Sequence, residues 1–407
     1  MQRQIKASVS TPLWAITLAA ASIAAIGMGI RQVMGLYYVP VSDALGLGRE
    51  SFALAIAIAN LVWGISAPVT GAVSDKYGTG IVVVFGALTT IAGLLLMYAA
   101  QSEIDLYLAG VFLGFGVAGA GVNAVVGAVG RAAAPEERSA AIAWIGMGAG
   151  IGFLVALPYA HLLMTEFGWQ TSLLLLASTA SLILLLAWPV SGRPEQLSGH
   201  AASQSLWAAV SEAAKHPSFW LLNAGFFVCG FHVIFYATHL PAYVADQGLG
   251  AEVGVWGLMA VGLGNLAGTY LAGQWGRYYS KRIGLTLIYS LRSLVFLGFL
   301  LLPITPATVI FLSGALGILW LSTVPLTSSL VATFFGAKWM TMLYGIVFFS
   351  HQLGSFLGAW MGGAIYDRLQ SYDAMWWICV VLGVVASILH WPIVEQPVAR
   401  PVTEAAR

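Results

Sequence analysis

The chain has 407 residues, of which 59% are hydrophobic and only 8% charged. A soluble domain carries about 25% charged residues, so this composition excludes an ordinary soluble enzyme or binding module. With a formal net charge of +1 and no basic patch, nothing points to nucleic acid as a partner.

Apolar runs recur along the whole chain, and each is long enough for a transmembrane helix. The first six expected spans are residues 12–40, 51–73, 80–100, 105–131, 139–165 and 169–190. Arg3 and Lys6 precede the first run as in a signal peptide. The run continues to Pro40 and has a counterpart in the second half, so it is read as a retained span. Ser191 to His216, with Pro194, Glu195, Ser203 and Lys215, breaks the pattern and reads as a linker. The last six expected spans are 217–243, 251–275, 283–303, 306–333, 341–366 and 373–395, followed by a polar tail. The expected organisation is a bundle over 1–190, a linker over 191–216, a second bundle over 217–395 and a tail over 396–407.

An even number of spans places both termini on one side. That side collects thirteen basic residues: Arg3, Lys6, Lys76, Arg131, Arg138, Arg193, Lys215, Arg277, Lys281, Arg282, Lys338, Arg400 and Arg407. The opposite side has two, Arg49 and Arg368. The bias predicts that termini and linker face the cytoplasm. The halves also repeat. Gly29, Arg31 and Pro40 fall on Gly230, His232 and Pro241, Gly71 falls on Gly273, and Gly152 falls on Gly354. Two six-helix halves related by an axis along the membrane normal produce this pattern, with solute sites near mid-membrane between them.

The loop after span two reads Gly71-Ala-Val-Ser-Asp75-Lys76-Tyr-Gly78. It resembles the G-x-x-x-D-R/K-x-G signature of the major facilitator superfamily, a resemblance that covers the whole chain. The resemblance implies an all-α membrane protein of twelve helices in two pseudo-symmetric six-helix bundles. It also implies a gating role for Gly71, Asp75, Lys76 and Gly78; the bland alternative is a solvated Asp-Lys pair in a turn. Three further stretches, Gly345 to Gly358, Tyr289-Ser-Leu-Arg292 and Phe167-Gly-Trp169, resemble the bacterial monocarboxylate and oxalate/formate transporter branch. The acidic residue, Gly and Trp that mark the first helix of that branch are missing. The branch implies transport of small organic anions, by proton symport or anion exchange.

Two arginines, Arg31 and Arg292, lie within spans, while all sixteen acidic residues fall in loops, tails or span edges. An arginine at bilayer depth costs roughly 2.5–3.5 kcal/mol on insertion scales, so such a residue has a partner or a task. Arg31 is nine residues from Pro40, about 13 Å of helix, too far for its side chain to snorkel to the interface. By fold analogy spans one, four, seven and ten line the cavity, which makes Arg31 the expected anion ligand. Arg292 in span nine must point inward, either to the site or to hydroxyls and carbonyls in its own half. His351 and Gln352 are mid-span in span eleven, and His232 matches Arg31 in the repeat. With no carboxylate inside a span, an internal proton carrier would be His351 or His232. The alternative is a neutral histidine hydrogen-bonded to a neighbour. His239 and His161 lie nearer span ends.

Asn123 in span four either touches solute or bridges helices. The Tyr37 and Tyr38 hydroxyls either donate to an anion or belong to an interfacial belt. Trp320, Thr323 and Ser328 in span ten are similar cases. Gly146-Met-Gly148 and Gly150-Ile-Gly152 sit inside an apolar helix and open no βαβ unit, which leaves no nucleotide site. Cys229 and Cys379 have no metal-ligand spacing and suggest no disulfide. No cofactor or metal is expected, and the chain is expected to act as a monomer surrounded by lipid.

The expected function is alternating-access transport of a small organic anion, a monocarboxylate or dicarboxylate, in an inner membrane. Proton symport and anion exchange both remain open. The rivals are an exporter of amphipathic compounds with a structural Arg31, and a non-transporting receptor on the same fold. An enzyme is not expected, since paired carboxylates, a metal cluster and an activated nucleophile are all lacking.

Overall fold

The computed structural model describes residues 11–133, 138–191, 205–336 and 339–398. Among them, ten helical stretches are long and apolar enough to cross a membrane. The stretch within Arg138–Leu186 turns at Gly168 and makes two passes, spans five and six. With span eleven, Met340–Leu369, the passes number twelve. The fold is all-α, as the resemblance implied.

Span one is Leu13–Leu45. It continues past Pro40 because a 3₁₀ segment, Met34–Tyr37, breaks the helix just before it. Pro40 then falls in the first turn of the helix Tyr38–Leu45, where its missing N–H costs nothing. Span two is Arg49–Tyr77, span three Thr79–Ala99. Span four is two helices, Glu103–Ala120 and Val122–Ala132, broken at Gly121. Its start is a capping box, with Ser102 and Asp105 satisfying each other's backbone N–H groups.

The short helix Leu206–Ala214 lies within the stretch expected as linker. Span seven is Pro217–Asp246, span eight Ala251–Tyr278 and span nine Lys281–Leu301. Span ten is again two helices, Pro306–Leu319 and Thr323–Phe335. Span twelve, Asp373–His390, ends five residues before the expected boundary at Glu395. The fourth span of each bundle is therefore interrupted at mid-length. An interruption frees backbone carbonyls that a continuous helix would satisfy, and these need donors.

Aromatic packing fills the second bundle: Trp376 stacks on Phe299 at 4.8 Å and lies edge-on to Phe235 and Tyr243. The two bundles cross where span one meets span seven. A Cβ on Gly35 would come 2.4 Å from the Ala237 carbonyl oxygen, so only glycine allows that approach.

Candidate functional site

The Arg31 side chain leaves span one toward a cavity of about 40 Å³ that it lines with Asn60, Trp63, Thr90 and Thr238. Gln32 adds one more polar group, and the rest of the wall is apolar, including Ile30, Ile56, Val117 and Ile234. A water needs about 10–15 Å³ measured this way, so the space holds a few waters or a small solute head group. Arg31 Nη2 donates to Asn60 Oδ1 at 3.0 Å, and the guanidinium carbon lies 5.0 Å from the Trp63 ring centroid. Asn60 is held in turn by its own Nδ2–H donating to the Ile56 carbonyl, 2.8 Å. Of the five N–H donors of the guanidinium, Asn60 takes one. Enough remain for a bidentate carboxylate. Among the described residues lining the cavity there is no acid to neutralise the charge.

From the second bundle, Gln352 reaches the same place. Its Nε2 donates to the Asn60 carbonyl oxygen at 3.2 Å, and its Oε1 accepts from His351 Nδ1 at 2.9 Å. His351 stacks on Phe348, with centroids 5.7 Å apart and planes 7° apart. Phe348 meets Trp63 edge-on at 5.2 Å. A closed circuit results: Arg31, Asn60 and Trp63 from the first bundle, Gln352, His351 and Phe348 from the second. Three residues singled out in the sequence, Arg31, His351 and Gln352, are thus brought together. Asn60 and Trp63 were missed, because span two is not among those expected to line the cavity.

The other candidates lie elsewhere. Arg292 is fully buried and donates from Nε and Nη2 to the Leu319 carbonyl, at 3.1 and 2.6 Å, and from Nη2 to the Trp320 carbonyl. These carbonyls are freed by the break in span ten, and the cavity around Arg31 does not include Arg292. His232 Nε2 bonds to the Cys379 carbonyl at 3.0 Å, and its ring lies edge-on to Phe296 inside the second bundle. Tyr37 is fully buried and pairs with Ser172 Oγ at 2.8 Å, joining spans one and six. Tyr38 packs edge-on against Phe52 and His239. Asn123 sits in the first turn after the Gly121 break; its side chain is outside the described residues. In the loop motif, Gly71 is helical and Gly78 has φ of 99°, which favours glycine. Asp75 and Lys76 end span two, and their side chains are likewise outside the description.

A second group, not anticipated, closes the membrane face opposite the termini. Arg49 makes a bidentate pair with Asp246 across the bundles, 2.5 and 2.6 Å, over the face of Tyr366 at 3.7 Å. The backbone N–H groups of Arg49 and Glu50, at the start of span two, donate to the Asp367 carboxylate at 2.9 and 2.7 Å. Trp360 Nε1 donates to Glu50 Oε1 at 2.8 Å. A carboxylate from one bundle therefore caps a helix of the other, where the helix dipole favours it. The available signal was acids at the matching ends of spans seven and eleven, opposite the one basic residue that opens span two.

The profile of the Major Facilitator Superfamily matches residues 16–359. Monocarboxylate transporter 11 of Mus musculus is 26% identical over 90% of this chain and 84% of its own length. The oxalate:formate antiporter of Oxalobacter formigenes is 23% identical over 93% of this chain and 90% of its own. In fold, the chain resembles the crystal structure of a bacterial homolog of the human lysosomal transporter Spinster. That match has a TM-score of 0.71 at 15% identity, covering 93% of this chain and 95% of the other. The chain belongs to the Major Facilitator Superfamily, and its relatives there are transporters named for monocarboxylates and for oxalate and formate.

Proposed function

We propose that this transporter carries a small organic monoanion, a monocarboxylate, by rocking of the two bundles around the cavity at Arg31. The observation that supports the reading is a guanidinium with free donors, in a mostly apolar pocket without an acid among its described lining residues. One cation and an apolar wall suit one carboxylate on a short carbon chain. A dicarboxylate would need a second cation, and Arg292 is turned to backbone carbonyls instead. The names of the relatives agree in chemical class. The small cavity speaks against a bulky amphipathic solute.

The basic-residue bias assigns the terminal side to the cytoplasm of an inner membrane. The Arg49 latch then closes the outer face, which leaves the cytoplasmic side as the way out for solute. For coupling, His351 is favoured over His232, because Gln352 and Asn60 join it to Arg31 by hydrogen bonds. Protonation of His351 at Nε2 would leave its Nδ1–H donating to Gln352 Oε1, now as a charge-assisted bond, and so tighten the link through Gln352 to Asn60 in the anion site; exchange of two anions needs no such step.

The test is carboxylate uptake into proteoliposomes, with and without a pH gradient, for the parent protein, Arg31→Gln and His351→Asn. The expected result is loss of uptake in Arg31→Gln and loss of acceleration by the gradient in His351→Asn. Uptake unchanged in Arg31→Gln would remove the site. A gradient response retained in His351→Asn would leave exchange, or protonation of the solute itself, as the coupling.

A further inference from the structure

Trp63 takes part in two contacts that no assignment so far explains together. Its face carries the Arg31 guanidinium, and its edge meets Phe348 of the other bundle. Both rings are half-buried. Trp63 lies three residues beyond Asn60 on a span that runs toward the terminal side. Phe348 lies four residues before Gln352 on a span that starts there. The ring pair is thus about one helical turn, roughly 5 Å, nearer the terminal side than the Asn60–Gln352 contact. It crosses the seam between the bundles, with Trp63 itself part of the cavity wall.

We propose that Trp63 and Phe348 form a thin aromatic gate on the terminal side of the Arg31 cavity, and that Trp63 ties this gate to the anion. The inference rests on Arg31 as the anion site. Opening needs only rotation of two side chains about the seam, without separation of the bundles at Asn60 and Gln352. Because the guanidinium carbon lies over the Trp63 ring and Asn60 takes one N–H, a carboxylate can use the remaining donors with Arg31 still on Trp63. The indole fixes the plane in which Arg31 presents its donors. Moving Trp63 aside to open the gate takes that support away and loosens the anion at the moment of release. Trp63 is a positioning residue for the anion, and Phe348 touches Trp63 and stacks on His351.

The experiment measures two quantities on the full chain. Affinity is read by thermal shift against formate, acetate, lactate and pyruvate. Access is read as the labelling rate of Ala59→Cys, a cavity-lining position, by a membrane-impermeant thiol reagent in vesicles that expose the terminal side. The protein without the added cysteine is subtracted as background for Cys229 and Cys379. Phe348→Leu should speed labelling about tenfold. Trp63→Leu should speed labelling and weaken affinity about tenfold, the scale of a desolvated cation–π contact. Trp63→Phe keeps a ring and should recover most of both, which separates the gate from general misfolding.

Labelling unchanged in Phe348→Leu would overturn the gate. Affinity unchanged in Trp63→Leu would overturn the tie to the anion. Should Arg31→Gln bind every anion as the parent does, the anion reading fails, and the labelling arm still decides whether the ring pair gates the cavity.

Discussion

Arg31 and Arg292 are both arginines inside membrane spans without an acid nearby in sequence, yet they are satisfied in opposite ways. Arg292 faces the interrupted helix of its own bundle, and three hydrogen bonds from Nε and Nη2 to the Leu319 and Trp320 carbonyls hold it there, while its buried Nη1 makes none among the described residues. Arg31 has one amide oxygen and one indole face, and opens on a cavity. The spacing that relates Gly71 to Gly273 also relates Thr90 to Arg292, so the first bundle carries a threonine where the second has its arginine. Span four is interrupted too, at Gly121, but by a single residue. The difference teaches that a buried guanidinium becomes structural when a neighbouring helix breaks beside it. It stays available for a solute when it opens on a cavity instead, as Arg31 does.

The sharpest way to break this comparison is to neutralise each cation. Arg292→Gln should destabilise the protein by about 3 kcal/mol, because buried carbonyls lose their donors. A fall in melting temperature in detergent, with anion affinity nearly unchanged in the folded fraction, is the expected result. Arg31→Gln should do the reverse: affinity for a monocarboxylate falls about 10- to 100-fold, the range of a charge-assisted hydrogen bond, while melting barely moves. An affinity loss in Arg292→Gln equal to that in Arg31→Gln would show that both cations serve the solute.

A smaller effect is expected at the far-side latch. The Arg49 and Asp246 side chains are 16% and 26% exposed, so the pair is partly screened. Asp246→Asn should shift the balance toward the far-side-open form by about 1 kcal/mol, or about fivefold in population. Energy transfer between fluorophores on the far ends of spans two and seven reads that shift, and an unchanged distance distribution would strip the pair of a gating role.

The smallest effect concerns pH. Glu395, beyond span twelve, accepts from Ser280 Oγ at 2.5 Å and from the Arg282 N–H at 2.8 Å, and lies 4.0 Å from Lys281 Nζ. Burial pushes its carboxyl up, but these partners outweigh burial and hold it below its ordinary value. A carboxylate depressed on folding stabilises the fold above its unfolded pKa, about 4.3, and that stability is lost as pH falls through the lower folded value. Glu395→Gln should remove about 0.5 kcal/mol of this acid-limb dependence, seen as a flatter melting-temperature profile between about pH 5 and 3.

Much of the candidate site was legible because a polar residue in an apolar helix is conspicuous. Arg31, His351 and Gln352 stood out on that ground alone. His232, Tyr37 and Arg292 stood out equally, and burial against carbonyls or a serine took them out of the cavity. Asn60 and Trp63 are ordinary membrane-helix residues until the crossing of spans one and two sets them beside a guanidinium. Arg49, Asp246 and Asp367 read as solvated span ends, since nothing in a linear order says that residues 197 and 318 positions apart will pair.

Twelve apolar runs, a repeated half and a charge bias between loops are written along the chain, because hydrophobic length and loop composition are local properties. They suffice for the all-helical, two-bundle architecture. Which buried cation meets a void and which meets backbone depends on where helices break and cross. That is a matter of contacts between residues far apart in order, and only the packed bundles settle it.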